Sequence, residues 1–270
     1  MKLARALHVV KMHGAENTFA VIDERPPTFA HYDALARELC APGGELGGAD
    51  GLLVVRDTPA AQVEMLVINA DGSEAEMCGN GVRCVARYLA DRGASDAFTI
   101  ATAAGPIAIT IVSRSPRFEI RSDVGAVVFP NDARPETFAA LGTTWTFCAV
   151  SLGNPHAIVF VDDLAAIDLA ALGAAFNGSP RFARGTNLHL VQILDTATLR
   201  ARHFERGVGL TRACGTGAVA CAAAAIRLHG AEAPVTVHVP GGTLSVAWRP
   251  GASATLTGPA EPIFERTLER

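Results

Sequence analysis

The sequence predicts an α+β fold, with mixed α/β content, built as two pseudo-symmetric lobes that arose by internal duplication. Three observations support this prediction: the chain repeats itself once, each copy carries a glycine turn followed by an Ala-rich helix, and short alternating strands surround both. The turns begin at Cys78 and Cys214, and both read Cys-Gly-x-Gly. Self-similarity at a long period indicates a repeated structural unit. We therefore expect each lobe to wrap its strands around one central helix.

The two copies keep one register along the chain. Asn17 and Asn154 each open an apolar segment, while Asn69 and Glu205 stand at the same distance before the two cysteines. These matched pairs are separated by 136 or 137 residues. We expect residues 1–123 to form the lobe that carries Cys78 and residues 124–258 the lobe that carries Cys214. Residues 259–270 are expected to return to the first lobe.

Glycines and alternating apolar residues delimit the expected elements. The two helices are expected to end near Gly93 and Gly230, since glycine commonly follows a helix C-terminus. A strand pair around a glycine turn is expected after each helix. The predicted strands are Gly51–Val55, Gln62–Ile68, Phe98–Thr102, Ile107–Val112, Phe118–Arg121, Leu188–Ile193, Val235–Val239 and Thr243–Trp248. A ligand is expected in a cleft between the lobes.

Composition excludes several classes of function. The chain has 270 residues, a net charge of -4 and 49% hydrophobic residues, as expected of a globular protein without a basic surface for nucleic acid. No apolar run approaches the roughly 18 residues of a membrane helix, and the N-terminal segment does not resemble a secretory signal. We expect a cytoplasmic protein that binds neither nucleic acid nor membranes.

The six cysteines predict neither disulfides nor a metal site. Nothing indicates an oxidising compartment, and the sequence has no CxxC pair and no HExxH. Thiol–disulfide exchange is the alternative use of these cysteines, but the spacings from Cys78 to Cys84 and from Cys214 to Cys221 do not suit it. We expect Cys84 and Cys221 to pack in the core.

The repeated turns favour inversion of a carbon next to a carboxylate. A helix that begins at a Gly-x-Gly turn presents unpaired backbone N–H groups and the positive end of its dipole to an anion. One thiolate would remove the α-proton, and one thiol would supply a proton to the opposite face. The helix N-termini are expected to lower the thiol pKa values toward neutrality. No cofactor is expected, and with Lys2 and Lys11 as the only lysines a Schiff base has poor candidates.

The segments around both cysteines resemble those of one known family. Cys78-Gly-Asn-Gly-Val-Arg-Cys, with Asn69-Ala-Asp-Gly-Ser-Glu before it, is similar to the first active-site segment of diaminopimelate epimerases. Glu205-Arg-Gly-Val-Gly-Leu-Thr-Arg-Ala-Cys-Gly-Thr-Gly resembles the second. The similarity spans the chain from about Lys11 to Pro259. It also includes Lys11-Met-His-Gly, Gly153-Asn-Pro-His and Gly185-Thr-Asn.

This resemblance implies an activity and a set of residues. The activity is interconversion of LL- and meso-2,6-diaminopimelate, for lysine and peptidoglycan precursors, by a homodimeric enzyme that needs no cofactor. The implied catalytic residues are Cys78 and Cys214 as the acid/base pair, with His156 and Glu205 beside the reacting centre. The implied substrate contacts are Asn17, Asn69, Gly79, Asn80, Asn154, Asn187, Arg206, Gly215 and Thr216.

The chain departs from the family pattern at three positions near these segments. The family commonly reads Gly-Asn-Asp-Phe where this chain has Glu16-Asn17-Thr18-Phe19, and it often has Glu in place of Leu210. The alternative is therefore a related two-cysteine racemase that acts on another amino acid such as histidine or lysine. Proline-type enzymes of the same fold usually have His where Asn80 stands. A binding protein that lost the chemistry would have little reason to keep both Cys-Gly-x-Gly turns.

Overall fold

The structure, a computed structural model, describes residues 6–27 and 29–269. The chain divides into two compact units. The N-terminal unit comprises the chain up to Ser122 together with the segment from Gly258 onward, and the C-terminal unit comprises Asp123–Thr257. None of the described helices is long and apolar enough to span a membrane.

Short strands dominate both units, and the helices are few among the described residues. In chain order the elements are β1 (Ala6–Gly14), β2 (Asn17–Asp23), α1 (Asp33–Leu39), β3 (Gly51–Arg56), β4 (Val63–Asn69), β5 (Glu74–Ala75), α2 (Gly79–Ala90), β6 (Ala97–Thr102), β7 (Gly105–Ser113) and β8 (Glu119–Ala126). They continue with β9 (Glu136–Ala140), β10 (Thr143–Ser151), β11 (Pro155–Phe160), α3 (Leu169–Asn177), a 3-10 turn (Pro180–Phe182), β12 (Asn187–Asp195), β13 (Thr198–Glu205) and β14 (Gly209–Thr211). The last elements are α4 (Gly215–His229), β15 (Val235–Val239), β16 (Gly242–Ala247), β17 (Ser253–Pro259) and β18 (Glu261–Glu269).

The same series of strand pairings occurs in each unit. In the N-terminal unit β2 runs parallel to β3, β3 antiparallel to β4, β4 parallel to β6 and β6 antiparallel to β7. In the C-terminal unit β11 runs parallel to β12, β12 antiparallel to β13, β13 parallel to β15 and β15 antiparallel to β16. The repeated topology confirms the predicted α+β fold with pseudo-symmetric halves. The last strand, β18, pairs with β1 of the N-terminal unit.

Helix α2 lies in the main apolar core of the N-terminal unit. Val82, Val85, Ala86 and Leu89 recur at the three- and four-residue spacing that places side chains on one helix face. They join a cluster of buried residues contributed by the surrounding strands. Its strand members are Val10, Met12, Phe19, Val21, Leu53, Val55, Val63, Met65, Val67, Ile100, Ile107, Ile109, Ile111 and Ile120.

Helix α4 occupies the corresponding place in the C-terminal unit. Its alanines favour a helix and let the surrounding strands approach closely, and residues Ala218 to Ala225 are all buried. Gly230 ends this helix in the left-handed conformation, as the sequence predicts. Helix α2 ends at Ala90, and Gly93 follows with a φ of 90° after a short turn.

Candidate active site

Cys78 and Cys214 occupy equivalent positions immediately before the two central helices. Each is the N-cap residue of its helix, with φ and ψ of -138° and 112° at Cys78 and -129° and 114° at Cys214. The Cys78 sulfur accepts the backbone N–H of Gly81 at 3.3 Å, and the Cys214 sulfur accepts that of Gly217 at 3.4 Å. The glycines that follow each cysteine form the first helical turn, where backbone N–H groups lack intrahelical partners. Gly79, Asn80, Gly215 and Thr216 lie in these first turns.

The half-buried Cys78 lies beside two predicted substrate residues. The oxygen Oδ1 of Asn17 is 3.9 Å from the Cys78 sulfur and accepts the side-chain N–H of Asn80 at 3.2 Å. Behind them, the fully buried guanidinium of Arg83 donates to Asn80 Oδ1 at 2.7 Å and to Gly79 O at 3.0 Å. Sequence reasoning did not select Arg83, although it belongs to the Cys78 motif. Its charge lies close enough to Cys78 to interact with it.

Asp50 fixes the orientation of Asn17, and sequence reasoning missed it. Its Oδ2 accepts the side-chain N–H of Asn17 at 2.7 Å and the backbone N–H of Thr18 at 2.7 Å. Because the Asn17 amide nitrogen is held by Asp50, its oxygen faces Cys78 and Asn80. Asp50 precedes β3, which pairs with β2, so only the strand pairing brings it to Asn17.

Cys214 is buried beside a carboxylate. The carboxylate is that of Glu205, which lies near the thiol and whose Oε1 accepts the Thr211 hydroxyl at 2.6 Å. Burial, followed by the charge of Glu205, raises the pKa of Cys214 well above its usual value. The expectation that the helix N-terminus lowers this pKa toward neutrality is therefore wrong for Cys214. The Gly217 N–H and the Thr216 hydroxyl act in that direction but are outweighed by desolvation.

His156 and Asn154 connect Cys214 to a buried row of histidines. Asn154 donates to the Thr216 hydroxyl at 3.4 Å, and Thr216 Oγ1 is 3.7 Å from the Cys214 sulfur. Asn154 Oδ1 is 2.9 Å from Nε2 of His156. Behind His156 lie His189 and His203, which sequence reasoning did not select because their strands meet only in the folded chain.

Asn187 and Arg206 form a second predicted subsite in the C-terminal unit. Asn187 Oδ1 accepts the backbone N–H of Arg206 at 3.0 Å, and its Nδ2 donates to Pro155 O at 3.1 Å. The exposed Arg206 side chain donates to Arg184 O at 2.8 Å. Its stem packs over Gly185, where an added Cβ would lie 2.6 Å from Arg206 Cδ. Asn187 thus orders the Arg206 loop through backbone contacts.

Arg206 and His156 also line a cavity within the C-terminal unit. The cavity has a volume of about 530 Å³, and Arg181 and Arg184 lie on its wall. Arg181 is ion-paired with Glu136, whereas an arginine such as Arg206 is suited to bind a carboxylate group. Asn69, the remaining predicted ligand, lies at the end of β4 in the N-terminal unit, exposed and donating to Ser73 Oγ at 2.9 Å.

Cys84 and Cys221 are fully buried, as predicted for core residues. Burial raises the pKa of both thiols far above the usual range, which makes them poor nucleophiles. Among the described residues, ring nitrogens of His189 and His203 and the Cys221 sulfur lie within 4.8 Å of one another. The sequence excluded a zinc site from local spacing alone, whereas the fold brings together groups from β12, β13 and α4.

Several solved structures share the fold of this chain. The chain superimposes on a phenazine biosynthesis protein of the PhzF family from Bacillus anthracis with a TM-score of 0.74 and 16% identity, covering 98% of this chain and 99% of that one. It also superimposes on a hydroxyproline epimerase from Agrobacterium vitis with a TM-score of 0.73 and 15% identity, covering 100% and 94%. At such identities the likeness concerns the fold, which this chain shares with epimerases and related proteins.

Sequence comparison identifies the family. A sequence model of diaminopimelate epimerase matches residues 9–130 and 148–263. The diaminopimelate epimerase of Desulfitobacterium hafniense is 37% identical over 97% of this chain and 98% of its own length. That of Carboxydothermus hydrogenoformans is 38% identical over 96% and 98%. The chain belongs to the diaminopimelate epimerase family and is an enzyme of the isomerase class.

Proposed function

We propose that this enzyme interconverts LL- and meso-2,6-diaminopimelate by a two-cysteine acid/base mechanism without a cofactor. The observation that carries the proposal is the presence of two cysteines in the same N-cap conformation, each opening a Gly-x-Gly helix, in a chain of this family. The substrate name comes from the relatives. The reaction would serve the formation of lysine and peptidoglycan precursors.

In this mechanism the substrate carboxylate binds the backbone N–H groups at the two helix N-termini. These donors stabilise the negative charge that develops when the α-proton leaves. One sulfur, as thiolate, takes the α-proton and becomes a thiol. The other, as thiol, gives its proton to the opposite face and becomes a thiolate, so that the configuration inverts and the pair is left in the reverse protonation state.

The charges around the two sulfurs favour one resting state. Cys214 lies against the Glu205 carboxylate, which favours a thiol. Cys78 lies near the buried guanidinium of Arg83, which favours a thiolate. Neither charge is repeated beside the other cysteine. The residue that corresponds to Glu205 near Cys78 is Asn69, and the residue that corresponds to Arg83 near Cys214 is Val219, both neutral. We therefore assign Cys78 as the base and Cys214 as the acid of the free enzyme.

The second amino-acid group of the substrate supports the assignment of the remaining residues. An ammonium needs acceptors, which the side-chain oxygens of Asn69, Asn154 and Asn187 supply, and a carboxylate needs a donor such as Arg206. His156, whose Nε2 is bonded to Asn154, is assigned beside the reacting centre together with Glu205. A homodimer and a cytoplasmic location remain part of the proposal.

Deuterium uptake in heavy water tests the mechanism and the substrate together. The reduced enzyme is incubated separately with LL-diaminopimelate, L-histidine and L-lysine, and deuterium at Cα is measured by mass spectrometry. We expect uptake with LL-diaminopimelate and no comparable uptake with the other two. Uptake with histidine or lysine alone would establish the alternative, a related racemase of another amino acid.

Cysteine variants test the assignment of the two thiols. Cys78→Ser and Cys214→Ser are each expected to lower kcat by about 10²- to 10⁴-fold, the usual contribution of general acid/base catalysis. Cys84→Ser is the matched control, because Cys84 lies on α2 but is buried in the core. Full activity in either Cys78→Ser or Cys214→Ser would refute the two-thiol mechanism.

A further inference from the structure

Three buried histidines form a continuous hydrogen-bonded row that leads to Asn154. His203 Nδ1 is 2.7 Å from His189 Nδ1, His189 Nε2 is 2.8 Å from His156 Nδ1, and His156 Nε2 is 2.9 Å from Asn154 Oδ1. The three rings are at most 2% exposed. From Asn154 the contacts continue through the Thr216 hydroxyl to the sulfur of Cys214.

The N-terminal unit fills the same positions with apolar side chains. Leu53 pairs with Val67 across β3 and β4 as His189 pairs with His203 across β12 and β13. Phe19 pairs with Gly51 across β2 and β3, and the equivalent His156 pairs with Asn187 across β11 and β12. Leu53 Cδ2 lies 3.0 Å from where a Cβ on Gly81 would be, and His189 Cε1 lies 2.5 Å from where a Cβ on Gly217 would be.

The fold therefore does not require polar residues at these positions. Phe19, Leu53 and Val67 belong to the apolar core of the N-terminal unit. Burying three imidazoles is costly unless their polar atoms are paired. Residues that are unfavourable for packing are most often found at functional sites. The three histidines fit this pattern, because their row ends at the catalytic Cys214.

The bonding pattern fixes which nitrogen of each ring carries a proton. Burial is the largest cause that lowers the pKa of all three histidines, to about 3 for His156 and about 4 for His203, so each ring is neutral near pH 7. Because Asn154 Oδ1 accepts, His156 is protonated at Nε2. His189 then donates from Nε2, and His203 donates from Nδ1. His203 Nε2, left as an acceptor, has no hydrogen-bond partner in the described structure.

We propose that His189 and His203 are positioning residues for Cys214, a role that rests on the proposed two-cysteine mechanism. The row holds His156 as the Nε2–H tautomer, which keeps the NH₂ group of Asn154 directed at Thr216. The Thr216 oxygen then accepts from Asn154, so its own proton is available to the Cys214 sulfur. That proton stabilises the sulfur when it is the thiolate, the form it takes after it has given up its proton.

A metal ion is the competing use of this cluster, and the geometry argues against it. Two nitrogens bound to one tetrahedral zinc at about 2.0 Å are separated by roughly 3.3 Å, whereas His189 Nδ1 and His203 Nδ1 are 2.7 Å apart. His189 Nε2 is already bonded to His156. Ligation by His189 would break the row at one of its two bonds.

Nuclear magnetic resonance of ¹⁵N-labelled histidine rings tests the tautomers directly. Long-range ¹H–¹⁵N spectra of the wild-type protein near pH 7 are expected to show Nε2–H at His156 and His189 and Nδ1–H at His203, with assignments from His189→Gln and His203→Asn. His156 protonated at Nδ1 would overturn the proposal. This measurement does not depend on catalysis, so it distinguishes failure of the proposal from failure of the proposed function.

Matched variants test the effect on the reaction. His189→Leu and His203→Val introduce the side chains that the N-terminal unit has at the equivalent positions. We expect kcat to fall about tenfold, which corresponds to the loss of one hydrogen bond to a charged group. KM should stay within about twofold of the wild-type value. His189→Gln and His203→Asn keep an N–H donor and are expected to restore most of kcat. A loss of activity in the amide variants equal to that in the apolar variants would show a packing role only and overturn the proposal.

Discussion

The carboxylate of Glu205 lies close enough to the thiol of Cys214 to raise its pKa. A hydrogen bond from the Thr211 hydroxyl at 2.6 Å holds this carboxylate in place. Burial of Cys214 and the negative charge of Glu205 both disfavour the thiolate, so the Cys214 pKa is raised. In the free enzyme Cys214 therefore carries the proton that the proposed reaction delivers.

Glu205→Gln is expected to move the alkaline limit of activity to lower pH. The free enzyme needs Cys214 as a thiol, and removing the neighbouring charge lowers the pKa of that thiol. The alkaline limb of the kcat/KM profile should therefore move to lower pH. Glu232→Gln, an exposed neutralisation in the same unit, is the control. An unchanged alkaline limb in Glu205→Gln would contradict the role assigned to this carboxylate.

Asp50→Asn is expected to weaken substrate binding through Asn17. The substitution removes the charged acceptor that holds the Asn17 amide and the Thr18 N–H. Hydrogen bonds to charged groups contribute about 1.5–3 kcal/mol, so KM should rise about tenfold or more. Steady-state kinetics check this, with the exposed Asp57→Asn as the control. Equal KM values in the two variants would mean that Asp50 does not position Asn17.

Glu16→Gly is expected to stabilise the protein. Ala15 and Glu16 form the two-residue turn between β1 and β2 with φ values of 51° and 62°, a conformation that glycine adopts without strain. The family commonly has glycine at this position, so the departure places a strained residue next to Asn17. The free energy of unfolding in urea should rise by about 1 kcal/mol. Ala174→Gly, on the exposed face of α3, should lower it by a similar amount.

The histidine row is expected to make the protein sensitive to acid. The three histidines have lower pKa values folded than unfolded, so their contribution to stability is full above about pH 6.5 and is lost as the pH falls toward 4 and 3. Each contributes a slope of up to about 1.4 kcal/mol per pH unit in this window. Urea unfolding of the His189→Leu/His203→Val double variant should show a shallower loss from pH 6.5 to 4.5. The exposed His8→Gln should behave as wild type.

The features predicted correctly from the sequence depend on local chemistry. Cys-Gly-x-Gly starts a helix because the cysteine sulfur and glycine backbone form its first turn, and Gly230 ends one because it adopts a positive φ. These signals lie within a few residues, so the sequence alone predicts that a helix begins after Cys78 and after Cys214.

The features that sequence reasoning missed depend on strand pairing and burial. Asp50 reaches Asn17 only because β3 lies beside β2, and His189 meets His203 only across β12 and β13. The Cys214 pKa was expected to fall because a helix N-terminus is a local feature. Burial of the thiol raises the pKa instead. This burial is produced by the packing of the folded C-terminal unit and cannot be seen in the residues next to Cys214 in the sequence.

The source of the hydrogen at Cα tests the two-cysteine mechanism most directly. LL-diaminopimelate is converted in heavy water, and the first product and the remaining substrate are analysed separately by mass spectrometry before the reaction approaches equilibrium. If one thiol removes the proton and the other supplies one, the product carries deuterium at the inverted carbon while the remaining substrate keeps its hydrogen. Product that retains the substrate's own hydrogen would show that one group does both tasks and would contradict the mechanism.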